Sequence, residues 1–429
     1  MQRYSRRQFI RTAVLTGTAT AVTSNSLFPT ILTNLTPTKP KIRLGFVGVG
    51  ERGRRHLQQA LLHNDVDITA ICDPSSDALN ITSKLIKNAG RKLPAAYGKG
   101  DEDFLNLLKD DSIDGVVIAT PWKWHIPVAL ASMEAHKYVG LEVSARTTLQ
   151  ESWDLVDTFE KTGAPCMMLE NACYQRNVLA ILNMIRRGFF GVITYAHCGY
   201  QHYQANNSAG QLPHSDGYPG VLYPTHGIGP MAHWLNINRG NRFTHLSSLI
   251  TKSRGLQRDV LTNGANAQIN YKLSDVITTT LKCANGESLV ILHDTSSPRP
   301  YSPGFQIQGK QGSWLGAHDM IRRESSHLRS DAYEPFSAYQ EKYDHSLWKQ
   351  SLNVEHNNTD YLVFRAFVES IRAKTAPPID VYDAAVWSAI SLLAEESIAS
   401  GSTSVEIPDF TRGRWKTNTP IFGLTDMVC

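Results

Sequence analysis

The stretch Lys41 to Gly53, read K-I-R-L-G-F-V-G-V-G-E-R-G, limits what this chain can fold into more than any other. Its first half is a short apolar run suited to a buried parallel strand, and it ends in Gly48-Val49-Gly50-Glu51-Arg52-Gly53, a G-x-G-x-x-G without a gap. The first glycine permits a tight turn, the second lets the backbone approach a pyrophosphate, and the third lets the next helix pack close to the strand. The phosphates then meet that helix's N-terminus. A helical stretch, Arg54 to His63, follows, and a second apolar run, Asp67 to Cys72, ends in Asp73. That spacing, about 20 residues past the last glycine, places Asp73 to accept from a ribose 2′-hydroxyl and to repel a 2′-phosphate, which selects NAD over NADP. The alternative is a glycine turn in an unrelated α/β domain, with Asp73 capping a turn.

The alternation continues. Ser75 to Ala89 and Asp101 to Lys109 read as helices, and Gly115 to Ala119 as a strand running into Trp122-Lys123-Trp124-His125. A helix over Ile126 to Ala135 leads to the strand Tyr138 to Leu141 and then Glu142-Val143. Another helix, Leu149 to Lys161, precedes the strand Cys166 to Leu169, which ends at Glu170-Asn171. This pattern predicts a doubly wound parallel sheet, the α/β Rossmann arrangement, over residues 41–171. Its polar clusters lie at the carboxyl ends of strands, where such sheets bind ligands. Beyond Asn171 the chain reads as an α+β substrate and oligomerisation domain, residues 172–429, with a mostly antiparallel, open-faced sheet. It holds helices at Val178 to Arg187 and from Tyr223-Pro224-Thr225-His226 to Leu235, with a Gly/Ser/Asn-rich loop up to Gly220 between them. Strands follow at Val192 to His197, Ser274 to Lys282, Ser288 to His293 and Gly304 to Gln308, with Asn285-Gly286 as a turn. Helices at Asp360 to Ala373 and Val381 to Ala399 close the chain and can pack back on the first domain.

The N-terminus differs from the rest. Ser5-Arg6-Arg7-Gln8-Phe9-Ile10-Arg11 precedes a weakly apolar Ala/Thr/Val run, which matches a twin-arginine export signal over residues 1–30, with a linker over 31–40. The expectation is a periplasmic or secreted protein, the alternative a basic disordered tail. The run is too short and too rich in threonine to span a bilayer. The four arginines up to Arg11 equal the whole formal excess of +4, so the remainder is close to neutral and nothing asks for nucleic acid as a partner. The six cysteines show no C-x-x-C and no zinc spacing, and the histidines form no H-E-x-x-H, so no metal is expected.

Several blocks carry a resemblance. G-V-G-E-R-G, the strand-end Asp73, I-D-G-V-V-I-A-T-P with a following His125, and the strand-end Glu142 are similar to the Gfo/Idh/MocA oxidoreductases. More narrowly, Trp122-Lys123-Trp124-His125, Met168-Leu169-Glu170-Asn171-Ala172-Cys173-Tyr174, Gly199-Tyr200-Gln201-His202, Tyr223-Pro224-Thr225-His226-Gly227 and His293-Asp294-Thr295 with Pro298-Arg299-Pro300-Tyr301 resemble glycoside hydrolase family 109, which contains NAD-dependent α-N-acetylgalactosaminidases. Two departures stand out. The E-K-P of the wider oxidoreductases, with its catalytic lysine, is Glu142-Val143-Ser144, which argues against simple dehydrogenase action. The loop between Tyr200 and Tyr223 is short and no arginine lies between Arg187 and Arg239, so the sugar is left open.

The resemblance implies a glycosidase that oxidises a sugar at C3, removes the acidified C2 proton, eliminates the C1 group, adds water and re-reduces C3, with tightly held NAD. Such chemistry needs an acid/base near C2 and C3 and no carboxylate pair flanking the bond. His226 is the candidate for it, with a pKa expected to be lowered by its helix-start position, and Tyr174 is a weaker candidate for proton transfer. Cofactor contacts fall to Gly48, Gly50, Glu51, Arg52, Gly53, Asp73, Trp122, Lys123, Trp124, His125, Glu142, Val143, Asn171 and Tyr223. Sugar contacts fall to Tyr200, Tyr223, Pro224, Thr225, His226 and Tyr301. The partner is a small-molecule glycoside or glycan, and the open-faced sheet suits a homo-oligomer. A sugar oxidoreductase with tightly bound cofactor, and a non-catalytic sugar sensor that kept its nucleotide, are the alternatives.

Overall fold

The structure is a computed structural model that describes residues 40–144, 147–203, 223–254, 274–324, 332–351 and 358–423. The paired-arginine segment, residues 31–39 of the linker, the Gly/Ser/Asn-rich loop and Cys429 lie outside the described residues.

In the first half, the apolar runs become the strands β1 (Ile42–Val47), β2 (Val66–Cys72), β3 (Ala95–Tyr97), β4 (Gly115–Ile118), β5 (Tyr138–Leu141) and β6 (Cys166–Met168). They pair in the order β3-β2-β1-β4-β5-β6, every neighbour parallel. The order reverses between β1 and β4, and a crevice opens there outside the carboxyl ends. Five helices make the connections: α1 (Glu51–Leu62), α2 (Ser76–Asn88), α3 (Phe104–Leu107), α4 (Trp122–Glu134) and α5 (Leu149–Thr162). Capping fixes some ends: in α5, Thr148 and Glu151 form a reciprocal capping box and Gly163 closes the helix in the left-handed conformation.

Two starts differ from the sequence reading. Helix α1 begins at Glu51 rather than Arg54 because Gly50 is its N-cap, so the glycine turn and the first helical turn share residues. Helix α4 begins at Trp122 rather than Ile126, directly after Pro121, whose fixed φ suits a helix start. The helix expected over Asp101 to Lys109 shrinks to the single turn of α3.

The second half opens with a 3₁₀ turn, Asn171–Tyr174, then α6 (Arg176–Arg186), β7 (Ile193–Gln201), α7 (Thr225–Trp234) and β8 (Phe243–Ile250). Strands β9 (Val276–Cys283), β10 (Ser288–Asp294), β11 (Gln306–Gly309), β12 (Gly312–Leu315), β13 (Met320–Arg323) and β14 (Glu334–Pro335) follow, then α8 (Ser337–Tyr343), α9 (Ser346–Ser351), α10 (Thr359–Ala373), α11 (Val381–Ala399) and β15 (Val405–Glu406). The sheet order is β14-β13-β12-β11-β7-β10-β9-β8-β15. It is mostly antiparallel, as expected, except that β7 and β10 run parallel at its centre. One face, with Ala196, Cys198, Leu289, Ile291 and Ile307, is buried, and the alternate residues Tyr195, Val290 and Leu292 are only partly covered.

Helices α10 and α11 join the two halves. Phe367 and Ile371 of α10 press on the parallel sheet at Gly140 and Gly115, where an added Cβ would come within 3.1 Å and 2.7 Å of them. Met168 in β6 donates its N–H to the Ile379 carbonyl just before α11. Phe367 is fully buried and Ile371 nearly so, each contributing about 2 kcal/mol of apolar burial. Cys72, Cys166, Cys173, Cys198 and Cys283 are free, buried thiols. Among the described residues no helix is long and apolar enough to cross a membrane, and no group of three His, Cys, Asp or Glu side chains is placed to hold a metal.

Candidate active site

The glycine turn takes its shape from close approaches. Gly48 sits at φ +82°, and a Cβ there would lie 2.6 Å from the Ala119 carbonyl oxygen; at Gly53 it would lie 1.9 Å from that of Gly48. Gly50 is different. A Cβ there would meet open space, and as N-cap of α1 it supplies no side-chain acceptor, so the first amides of the helix are left to an outside anion. A cavity of about 330 Å³ beside the turn is lined by Gly48, Gly50, Asp73, Lys123 and Trp124. Asp73 accepts from the Val49 and Ser75 N–H groups, one on each carboxylate oxygen at 2.9 Å, and keeps lone pairs for a further donor. The Trp124 ring packs edge-on to Phe104 and stays on the cavity wall. A bare helix N-terminus, a turn closed to every residue but glycine and a strand-end carboxylate together fit a dinucleotide.

Adjoining it, with Ala119 and Thr120 shared, lies a second cavity, about 460 Å³, walled by Arg52, Trp122, His125, Glu142, Asn171, Tyr223 and His226 among others. Two carboxylates with histidine partners serve it: Glu142 on its wall, and Glu170 buried behind the wall residue His226. Glu142, directly after β5, accepts from Arg52 Nε at 2.7 Å and lies 2.5 Å from His56 Nε2. Arg52 also holds Asp360 through both terminal nitrogens, at 2.9 and 3.2 Å, and Asn171 donates to Asp360 at 2.6 Å. Burial pushes the Glu142 carboxyl up, but His56 and Arg52 outweigh it and hold it at about 2. Glu142 therefore stays ionised and cannot act as an acid near neutral pH. Asn171 and Glu142 reach the cavity wall as expected, but their side chains are tied to this network.

Glu170, directly before the 3₁₀ turn, is the second acid, and its carboxylate is fully buried. His226 Nδ1 lies 2.8 and 3.0 Å from its two oxygens, and Ala172 N–H donates to Oε1 at 2.9 Å. Because a carboxylate only accepts, Nδ1 carries the hydrogen and Nε2 is the acceptor. Burial lowers the pKa of His226, yet the Glu170 charge outweighs it and the net shift is upward. This corrects the expectation of a lowered value: a helix-start effect of about 0.3–1 kcal/mol loses to a buried carboxylate at hydrogen-bond distance.

Aromatic rings surround His226. Tyr223, at φ +49°, stacks on it with centroids 5.7 Å apart, and Trp122 meets Tyr223 edge-on. Tyr200 of β7 lies 5.4 Å from Tyr223, 6.1 Å from His226 and 5.9 Å from Tyr301, which is 46% exposed. Burial raises the hydroxyl pKa of Tyr223, and burial with Glu170 raises that of Tyr301 to about 12, so both are neutral donors. The structure thus gathers Tyr200, Tyr223, His226 and Tyr301 into one patch.

Other candidates are placed differently. Thr225 is fully buried behind Pro224 at the start of α7. His125 is buried, with Nε2 2.9 Å from the Thr120 carbonyl oxygen, and burial lowers its pKa to about 4. Val143 lines the cavity floor, Lys123 lies on the glycine-turn side, and Glu51 is exposed and paired with Arg55. Tyr174 is withdrawn from the candidates: it is fully buried, with its ring against Phe422 and its carbonyl accepting from Trp348, and it lies outside the cavity lining. Sequence reasoning gave no role to Glu170, His56 or Asp360. Glu170 stood in view at a strand end, whereas Asp360 reaches Arg52 across 308 residues and carries no local signal.

Comparison with known proteins agrees with this geometry. Residues 42–170 match the oxidoreductase family, NAD-binding Rossmann fold, and residues 174–218 and 204–417 match the glycosyl hydrolase 109 C-terminal domain. Among solved structures, levoglucosan dehydrogenase in complex with NADH and L-sorbose shares the fold, with a TM-score of 0.66 at 19% identity over 86% of this chain and all of that one. The class is therefore a two-domain protein with an NAD-binding Rossmann domain. A glycosyl hydrolase family 109 protein of Stenotrophomonas maltophilia (strain K279a) is 40% identical over 97% of this chain and 98% of its own. The alpha-N-acetylgalactosaminidase of Tannerella forsythia is 42% identical over 89% of each chain. The chain belongs to glycosyl hydrolase family 109.

Proposed function

We propose that this protein cleaves an N-acetylgalactosaminide or a closely related glycoside through NAD-dependent transient oxidation, with His226 as the acid/base. The observation that carries this reading is the position of His226 between the nucleotide cradle and the tyrosine patch, with an acceptor Nε2. NAD, which the glycine turn and Asp73 would hold, would supply reversible uptake of the C3 hydride, the O3 proton passing to solvent water and back, so that a C3 ketone exists until both are returned.

The ketone acidifies the C2–H bond. His226 Nε2 takes that proton, and the C2 electron pair forms a double bond to C1 as the C1–O bond breaks. The departing oxygen leaves as an alcohol, protonated by the imidazolium. Water then adds, its oxygen to C1 and its proton to C2 through His226. Atoms balance to hydrolysis without net redox. Tyr223 and Tyr301 present neutral hydroxyls to the sugar, and all three tyrosines, Tyr200 included, present ring faces, which suits both hydroxyl recognition and stacking. Glu142 and Arg52 keep the floor rigid and take no proton.

Incubating purified protein with aryl N-acetylgalactosaminides in heavy water tests the reading. Deuterium at C2 of the released sugar is expected. A lactone or sugar alcohol without aryl release would replace the reading with a sugar oxidoreductase, and intact ligand binding with no turnover would replace it with a sensor. The twin-arginine segment adds export to the proposal: Arg6→Lys with Arg7→Lys should retain the protein in the cytoplasmic fraction, and unchanged fractionation refutes that part.

A further inference from the structure

We propose that Glu170 is the positioning residue for His226: it fixes the imidazole tautomer and ring orientation, so that Nε2 is the face offered to the sugar. This rests on the reading of His226 as the acid/base.

The arrangement leaves His226 little choice. Both Glu170 oxygens address the same ring nitrogen, and the Ala172 N–H holds Oε1 from the other side. Gly229, one helical turn past His226, packs against the acid closely enough that a Cβ there would stand 3.1 Å from Glu170 Cγ and 2.8 Å from Cys173 Sγ. The carboxylate is therefore clamped between the 3₁₀ turn and α7, with 0% of its side chain exposed, whereas the His226 side chain keeps 24% open to the cavity. Other charged and titratable groups act on the ring: Glu142 from the end of β5, Arg52 from α1, Tyr200 from β7 and Tyr223 from its own lead-in, while Cys173 of the 3₁₀ turn lies near Glu170. Arg52 already engages Glu142 and Asp360, which leaves Glu170 as the charge in direct contact with the imidazole. A fixed anion behind an imidazole does two things. It holds the proton on the remote nitrogen, and it stabilises the imidazolium formed when Nε2 takes a proton. The upward pKa shift of His226 agrees with the second.

The test uses the full protein with its bound NAD and follows C2 hydrogen–deuterium exchange against pH. Glu170→Gln keeps the size and an acceptor for Ala172 but removes the charge. Exchange should fall about 10²-fold, with bound NAD and KM close to the parent's, and the acid limb of the profile should move to lower pH because the imidazolium loses its support. Glu170→Asp, which retains the charge, should keep the limb at higher pH than Glu170→Gln does, and it serves alone if the glutamine variant fails to fold. A Glu170→Gln enzyme that is less stable but has the parent's rate and limb would overturn the proposal and leave Glu170 a cap for the 3₁₀ turn. His226→Ala separates the two levels. If it retains exchange, the acid/base assignment falls and the positioning role falls with it; if it abolishes exchange while Glu170→Gln behaves like the parent, the positioning role alone is refuted.

Discussion

Glu142 and Glu170 stand at the carboxyl ends of neighbouring strands, β5 and β6, and each meets a histidine brought in by a helix. The composition is the same and the outcome differs. At Glu142 the histidine, His56, is fully buried, and an arginine completes the set, itself fastened to Asp360 of α10. At Glu170 no arginine makes contact among the described residues, and the histidine opens on the cavity. A carboxylate held by an arginine and a fully buried imidazole becomes an anchor. One that touches an imidazole with an open far side leaves that ring a free nitrogen toward the cavity, as the proposed acid/base role requires. Burial and the third partner, rather than residue type, decide the role.

The sharpest break between the two pairs comes from removing the histidines. His226→Ala should lower C2 exchange by about 10²–10⁴-fold while NAD stays bound, measured by exchange and by cofactor released on denaturation. His56→Ala should instead act on stability; a loss of exchange as deep as that of His226→Ala in a well-folded His56→Ala protein would erase the distinction. Next in size is Arg52→Met. It leaves Glu142 and Asp360 without their common cation and should cost about 3–5 kcal/mol in urea denaturation, because breaking one partner out of a buried network strands the rest. A change below about 1 kcal/mol would show that the network holds nothing together.

A pH series sharpens the comparison further. The folded-state pKa of Glu142 is depressed to about 2 from an ordinary 4.5, so its contribution to stability is present above 4.5 and lost as pH falls toward about 2. Glu142→Gln should flatten that part of the stability curve relative to the parent. The His226 value is shifted the other way, so its contribution is complete at acid pH and fades as pH rises through the raised value. Parallel curves for parent and Glu142→Gln below pH 4.5 would contradict the assignment. The smallest effect belongs to Asp73→Ala, which removes one charged acceptor near the ribose. NAD preference over NADP should relax by about tenfold, measured by binding of each, and unchanged discrimination would remove Asp73 from that role.

What the sequence disclosed and what it hid divide along contact distance in the chain. The glycine turn, Asp73 and the strand-end polar clusters were readable because period and spacing act over a few tens of residues. The start of α4 was misjudged because Trp122 to His125 read as a polar strand end, although Pro121 makes them a first helical turn. The sign of the His226 shift went wrong for a related reason: its helix-start position is visible in the sequence, whereas the partner Glu170 lies 56 residues earlier and arrives only through folding. Asp360 illustrates the limit. Nothing near it announces a nucleotide site, yet it fastens the arginine of the glycine turn.

The covering of the parallel sheet by α10 and α11 also sets an order of events. The ribosome makes β1 to β6 first, but Gly115 and Gly140 receive Ile371 and Phe367 only when the last quarter of the chain has emerged. The nucleotide-binding half must wait with an apolar face uncovered, against the usual tendency of N-terminal domains to fold during synthesis. Residues 41–171 therefore lack part of their own cover, and the cofactor-binding half becomes complete only when helices of the second half have arrived.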